Sequence, residues 1–293
     1  MRTLTLSLAL LLFVSVIVGA TELQILYTND IHLRFARMAS LSSLIESARK
    51  DGYPTLLLDA GDGWQDFRNP IYAVWGGKAM MAWMNHLGYD AMALGNHELY
   101  WGERRLNALV EGADFPILCA NLDPVMGWAS PFVGSKIIER GGLRILLVGL
   151  ITDEYFPYGD YPWLDYVALE VALREEIAGL EGSVDLIVVV VHLPVLEAAR
   201  IAAVLPDVDV FATGHSHEET PDPVVVGDTL IVQSGAFGHY LGRLLVDVGD
   251  GRARLIENEL LPTKSAPVDL RQGEFRLAEV LFFLALSLVL FFS

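Results

Sequence analysis

Five times along this chain an apolar, strand-like run ends in a short cluster of Asp, Asn and His, and no other feature restricts the possible fold as tightly. Leu23 to Tyr27 leads into Thr28-Asn29-Asp30-Ile31-His32, Thr55 to Leu58 into Asp59-Ala60-Gly61-Asp62, and Ala91 to Leu94 into Gly95-Asn96-His97-Glu98. Val188 to Val191 ends at His192, and Phe211 to Thr213 at Gly214-His215-Ser216-His217. Short apolar runs bounded by polar and turn residues read as buried strands. Helical stretches separate them. Met38 to Lys50 carries Leu41, Leu44, Ile45 and Ala48 on one face and then stops at Arg49-Lys50-Asp51-Gly52; Lys78 to Leu87 and Arg104 to Val110 follow. Alternation of this kind predicts an α/β fold, a largely buried sheet with helices on its faces. In such sheets the carboxyl ends of the strands line the ligand crevice, so the five clusters can converge.

The second half extends the pattern. Lys136 to Glu139 and Leu143 to Ile151 flank Gly141-Gly142 as a hairpin, followed by a helix over Ala168 to Leu180, a strand over Leu186 to Val191, and a helix over Val195 to Ala203. Val210 to Thr213 is the next strand, and Val224 to Glu259 is mostly β with a turn at Gly249-Asp250-Gly251. Two sheets packed together, with helices outside, is the expected architecture. Cys119 is the sole cysteine, which excludes an intrachain disulfide; its apolar setting, Pro116 to Ala120, suits a small buried hydrophobe better than a catalytic thiol.

Asp, His and Asn supply oxygen and nitrogen ligands, here enough for two divalent metals. Asp30-x-His32 and His215-x-His217 each put two ligands on one side of an extended segment. A single Asp-x-His is weak evidence, whereas five such loops in order are specific. The formal charge of −17, from 37 acidic against 20 basic residues, argues against a nucleic-acid polymer as partner. It leaves phosphate chemistry open if metals supply the positive charge.

The mean hydropathy of +0.41 owes much to the two ends. Met1-Arg2, the apolar run Leu4 to Val18 and the small residues Val18-Gly19-Ala20 read as a secretory signal peptide over 1–20. At the other end a polar spacer, 263–276, precedes a hydrophobic tail, 277–293, whose uncharged part is Val280 to Phe292. That part is shorter than the ~20 residues of a bilayer span. The tail resembles a removable GPI-attachment signal; a short membrane anchor and a core helix are the rival readings. No Asn-x-Ser/Thr acceptor occurs. The expectation is an exported domain over 21–262, at the extracellular or periplasmic face, attached to a membrane through its tail.

The segments TNDIH, LLLDAGD, GNHE, VVVVHLP and GHSH, with VQSGAFGHYLGRL from Val232 to Leu244, resemble the calcineurin-like metallophosphoesterases. Within them the chain is similar to the catalytic domain of the 5′-nucleotidase and UDP-sugar hydrolase family, over roughly Glu22 to Leu261. The resemblance implies a four-layer αββα sandwich of two mixed sheets flanked by helices. It implies hydrolysis of small phosphate esters, nucleotides among them, by a hydroxide bridging two divalent metals, with Mn, Zn, Fe and Co all admissible. One metal would be held by Asp30, His32, Asp62 and His217, the other by Asp62, Asn96, His192 and His215, with Asp62 bridging. His97 and Asn96 would be the catalytic residues, His97 stabilising the transition state or protonating the leaving group. Glu98 reads as a structural acid, and His86 and His239 are set aside.

Two departures qualify this. Relatives of this type read GNHEFD, with the Asp pairing the catalytic His, where this chain has Tyr100; His97 should then be less basic or oriented by another group. Family members also carry a C-terminal domain that stacks the base between aromatics. Here specificity would fall to the aromatic loops Gly63 to Gly76, with Trp64, Phe67, Tyr72 and Trp75, and Asp153 to Tyr166, unless those aromatics merely cover the core. A non-catalytic surface protein that binds metal or ligand on the same fold is the alternative reading.

Overall fold

The first strand, β1 (Thr21–Thr28), divides its side chains between two cores: Leu23, Ile25 and Tyr27 pack toward a second sheet, and Leu26 packs toward helices. Period-two alternation of an apolar strand produces this division, and it requires a layer on each side of the sheet. The computed structural model describes residues 21–64, 70–100, 102–125, 127–154, 161–180, 182–249 and 251–266. After β1 come α1 (Phe35–Ala48), a 3-10 turn (Arg49–Asp51), β2 (Thr55–Asp59), α2 (Pro70–Leu87), β3 (Ala91–Ala93), α3 (Asn96–Leu99), α4 (Glu103–Val110), β4 (Ile117–Leu118) and β5 (Leu122–Pro124). The chain continues through β6 (Ser135–Arg140), β7 (Leu143–Ile151), β8 (Leu164–Tyr166), α5 (Leu169–Ile177), β9 (Leu186–His192), α6 (Val195–Val204) and β10 (Val210–Thr213). It closes with β11 (Val224–Val226), β12 (Thr229–Val232), β13 (Tyr240–Gly249) and β14 (Arg252–Pro262).

Two six-stranded sheets result, in the orders β14-β13-β1-β2-β3-β4 and β11-β12-β10-β9-β7-β6. Strands β1 to β4 run parallel, β13 lies antiparallel beside β1, and β14 is antiparallel to β13; β12, β10, β9 and β7 run parallel between the antiparallel edges β11 and β6. Leu56 and Leu58 of one sheet meet Val188, Val190 and Val210 of the other in the central core. Leu57 packs outward with Leu41 and Ile45 of α1 and Met80 and Met84 of α2, while Val189, Phe211 and Ile231 pack outward with Ala198 and Ile201 of α6. The expected four-layer sandwich is therefore what forms. Each fully buried aliphatic side chain in it contributes about 1.5–3 kcal/mol.

Several local expectations need correction. Helix α2 begins at Pro70 instead of Lys78, and α1 at Phe35 instead of Met38. Proline fits a helix's first turn because its missing N–H would be unpaired there anyway. The small sheet of β5 and β8 has no counterpart in the sequence pattern; its strands are three residues each, too short for a period. Trp64 is fully buried among the α1, α2 and α4 side chains, so it is not available to stack a ligand. Tyr161, Trp163 and Tyr166 are half-buried against the same core, with Trp163 edge-on to Trp128 at 4.7 Å, so they cover the core. Cys119 is buried and burial pushes its thiol up, as suits an inert hydrophobe.

The expected signal peptide over 1–20, the tail and the spacer beyond Ala266 lie outside the described residues, as do Phe67, the side chains of Tyr72 and Trp75, Asp250 and 155–160. The first spacer residues lie along α1: Lys264 N–H donates to Ser40 Oγ at 3.0 Å and Ala266 N–H to the Ala36 carbonyl at 2.8 Å. Among the described residues no helix is long and apolar enough to cross a membrane.

Candidate metal centre

The parallel strands β1, β2, β3, β9 and β10 point their carboxyl ends to one side, where the five polar loops meet. Beyond the strands the first two loops stay paired, Asp30 N–H to the Gly61 carbonyl and His32 N–H to the Asp62 carbonyl, both at 2.9 Å. Five side chains on these loops come from residues with left-handed backbone: Asp30 (φ 49°), His32 (47°), Asp62 (57°), His215 (73°) and His217 (60°). A non-glycine residue pays roughly 1–3 kcal/mol for such a conformation, and the cost concentrates at functional sites. Glycine is needed beside them for space. A Cβ at Gly95 would overlap the Asp62 carboxylate and backbone N, and one at Gly214 would lie 2.7 Å from the Ala60 carbonyl and 2.9 Å from His192 Nδ1.

Two groups of donor atoms form around Asp62. In the first, His217 Nε2 is 3.2 Å from Asp30 Oδ1 and 3.4 Å from His32 Nε2, while His32 Nε2 is 3.9 Å from Asp62 Oδ2. In the second, His192 Nε2 is 3.2 Å from the same Asp62 oxygen and 3.0 Å from Asn96 Oδ1, which is 3.2 Å from His215 Nδ1. Atoms bound at about 2.0–2.2 Å to one cation lie about 3–3.6 Å from one another, so the second group is spaced as a ligand set and the first is slightly wider at His32. Asp30 Oδ1 is buried, makes no well-aligned hydrogen bond and is faced by His217 Nε2 at 3.2 Å and His32 Nε2 at 3.7 Å, an acceptor open to a cation. Electrostatics agree with this. Burial would raise both carboxyls, yet the surrounding imidazoles outweigh it: Asp30 is held well below the usual carboxylate range and Asp62 at about 2. Burial likewise opposes charge on His192, but Asp62 and Asp30 overcome it and hold the imidazole up at about 10. The buried acids thus recruit positive charge from the protein itself, and divalent cations are suited to supply it.

Bonds directed away from the centre fix most of these groups. Asp30 Oδ2 accepts from Asn29 Nδ2 at 2.7 Å and from His215 N–H at 2.9 Å. His192 Nδ1 is 2.7 Å from the Ala60 carbonyl, leaving Nε2 for the site. Asn96 Nδ2 donates to Tyr100 Oη at 2.8 Å, and His215 Nε2 is 2.7 Å from Glu154 Oε2. His97 N–H donates to Asp62 Oδ1 at 2.9 Å, and its Nε2 is 3.7 Å from Asp62 Oδ2. The side chains of His97 and His217, 24% and 39% exposed, mark the mouth of the crevice. Burial lowers the pKa of His97, with Asp62 opposing it.

A matching family model, the calcineurin-like phosphoesterases, aligns with residues 23–219, the segment that carries all five loops. The chain belongs to this family. Among the calcineurin-like phosphoesterases it is 31% identical over 236 residues to an uncharacterized metallophosphoesterase, YunD, of Bacillus subtilis (strain 168), covering 78% of this chain and 50% of that protein. It is also 31% identical over 302 residues to a 5′-nucleotidase of Mus musculus, covering 86% of this chain and 51% of that one. The crystal structure of a 5′-nucleotidase precursor from Thermus thermophilus matches with a TM-score of 0.77 at 26% identity, over 91% of this chain and 60% of that one. The chain spans about half the length of the curated relatives it matches.

All seven side chains expected at the centre come together, with His97 beside them. Glu98 is buried and accepts three backbone N–H groups, from Asp62, Trp64 and Gly95, as a structural acid would. His86 is exposed on α2, and His239 is exposed with its ring 6.1 Å from Phe237. Sequence reasoning missed Glu154, a single acid with no spacing signal. It also missed Asn29, whose place inside TNDIH was the available clue: its Oδ1 accepts from Ser234 N and Oγ at 2.9 and 2.7 Å.

Proposed function

We propose that the domain over 21–262 is a metal-dependent phosphoesterase that hydrolyses small phosphate esters, nucleotides among them. Asp30, His32, Asp62 and His217 would hold one divalent cation, and Asp62, Asn96, His192 and His215 a second. The observation that carries this reading is Asp62 Oδ2, which faces His192 Nε2 at 3.2 Å and His32 Nε2 at 3.9 Å from opposite donor groups. Two divalent cations bound there supply Lewis acidity, a water of lowered pKa and a clamp for phosphoryl oxygens.

The chain's own groups supply the remainder. His97, at the mouth of the crevice, would place its imidazole to hydrogen-bond the phosphoryl or leaving-group oxygen. Its backbone N–H on Asp62 Oδ1 fixes the side chain's origin relative to that carboxylate. The buried walls around Asp30, Asp62 and His192 exclude bulk water and strengthen every charge interaction inside. A full donor set with strained backbone at five positions supports an enzyme over a binding-only protein. A nucleotide substrate draws support from relatives named 5′-nucleotidases. Export and membrane attachment rest on the leader over 1–20 and the tail over 277–293.

The test is hydrolysis by purified protein with Mn²⁺, Co²⁺ or Zn²⁺, using AMP, a cyclic nucleotide, a nucleotide sugar and an aryl phosphate. Metal-dependent turnover of at least one is expected, with Asn96→Ala losing both activity and one metal equivalent. No turnover of any substrate, together with unchanged metal content in Asn96→Ala, would reject the reading.

A further inference from the structure

Asparagine and histidine are ambiguous ligands. The amide of Asn96 presents either an oxygen that attracts a cation or an NH₂ that repels it, and His215 offers two ring nitrogens of which only one carries a lone pair when neutral. Something must choose between these orientations. For Asn96 it is the phenol of Tyr100: Nδ2 donates to Tyr100 Oη at 2.8 Å, which turns Oδ1 toward His192 Nε2 at 3.0 Å. For His215 it is the carboxylate of Glu154: at 2.7 Å from Nε2 it takes that N–H, which leaves the lone pair on Nδ1, the atom 3.2 Å from Asn96 Oδ1.

We propose that Tyr100 and Glu154 are positioning residues that aim Asn96 and His215 at one cation and thereby set the affinity of that half of the centre alone. The proposal rests on the two-cation reading above. Tyr100 stands one turn after Asn96, so its phenol reaches back along the helix to bond the amide and orient that ligand. Glu154 lies in the loop after β7, next to buried Thr152, whose Oγ1 accepts the Glu154 N–H at 3.2 Å and sets where that loop leaves the strand. Its side chain is 53% exposed, so the contact with His215 adds little to folding; its consequence is the direction of the ring. The third adjustable ligand of this half, His192, is held by the backbone carbonyl of Ala60. Asp30, in the other half, is held by Asn29 and the His215 N–H, with no bond to Tyr100 or Glu154 among those described.

Metal-free wild type, Tyr100→Phe and Glu154→Ala are titrated with Co²⁺ by calorimetry and visible absorption, with Asn96→Ala as reference. Wild type should bind two equivalents. Each variant should bind one equivalent as wild type does and the other about 10–100-fold more weakly, with an altered Co²⁺ spectrum for that equivalent only and an unchanged metal-free Tm. Two equivalents bound as tightly as in wild type would overturn the proposal, and so would equal weakening of both. If Tyr100→Phe fails to fold, Glu154→Ala, altered only at an exposed side chain, decides by the same criteria. A wild-type protein that binds fewer than two equivalents removes the two-cation reading itself, and this proposal with it.

Discussion

The buried carboxylate of Glu98 accepts the backbone N–H of Asp62 at 2.9 Å, so a residue on α3 holds in place the loop after β2 that carries the central acid of the site. The same carboxylate also accepts Trp64 N–H at 2.9 Å and Gly95 N–H at 3.0 Å, which ties the loop after β2 to the start of α3 at one point. In Glu98→Gln the amide cannot accept all three, and an unmet buried N–H costs about 1–3 kcal/mol. At roughly 2–4 °C per kcal/mol for a domain of this size, Tm should fall by several degrees, and metal content with it. A thermal melt and metal analysis check this; a Tm unchanged within a degree would show that Glu98 is not holding the loop.

His97 should act in turnover and not in metal retention. Its side chain is at the mouth, and its backbone N–H makes the bond to Asp62, which survives truncation. His97→Ala is expected to lower kcat by about 10²–10⁴-fold while keeping both metal equivalents. A loss of metal in this variant would reassign His97 to the ligand set.

The architecture and the site were legible in the sequence for one reason: long apolar strands such as Leu186 to His192 carry a periodic signal, and they deliver ligands at their ends. Convergence followed from the parallel order. Contacts that depend on folding were not legible. Nothing local marks Glu154 as the partner of His215, because 61 positions separate them. Trp64 looked available in a polar loop, yet the pairing of Leu33 N–H with the Gly63 carbonyl at 3.2 Å carries that segment inward and the indole enters the helix-side core. Left-handed backbone at Asp30, His32 and Asp62 was equally invisible, since no local residue preference demands it there.

Gly95 offers a test of how tightly the centre is built. Its φ of −100° is open to any residue, so only space explains the glycine: a methyl would meet Asp62 Oδ1, Asp62 N and Glu98 Oε2. Backbone and two bonded carboxylates have little room to give. Gly95→Ala should cost about 1–3 kcal/mol and displace Asp62, lowering metal content below that of wild type. Urea unfolding of metal-free protein separates the packing cost from metal loss, and wild-type values for both would show that the loop yields.

Asp209 provides a pH dependence far from the centre, at the other end of β9. Its buried carboxylate accepts Ile187 N–H at 2.9 Å and Ala253 N–H at 3.3 Å, with the Arg252 guanidinium 3.9 Å away and Asp207 nearby. Burial outweighs these bonds and Arg252, and raises the carboxyl from 3.8 to about 6. A raised acid means that the folded protein keeps a proton that the unfolded chain has released. The associated stability is therefore present below pH ~4 and lost as pH rises through about 6, by up to roughly 3 kcal/mol at 1.36 kcal/mol per unit. Asp209→Asn cannot titrate, so the difference in unfolding free energy between wild type and variant should fall across this window and then level off. Urea unfolding of both proteins from pH 4 to 7 measures it. A difference that stays flat, or rises with pH, would mean that the Arg252 contact and the two N–H bonds outweigh burial and hold Asp209 ionised throughout.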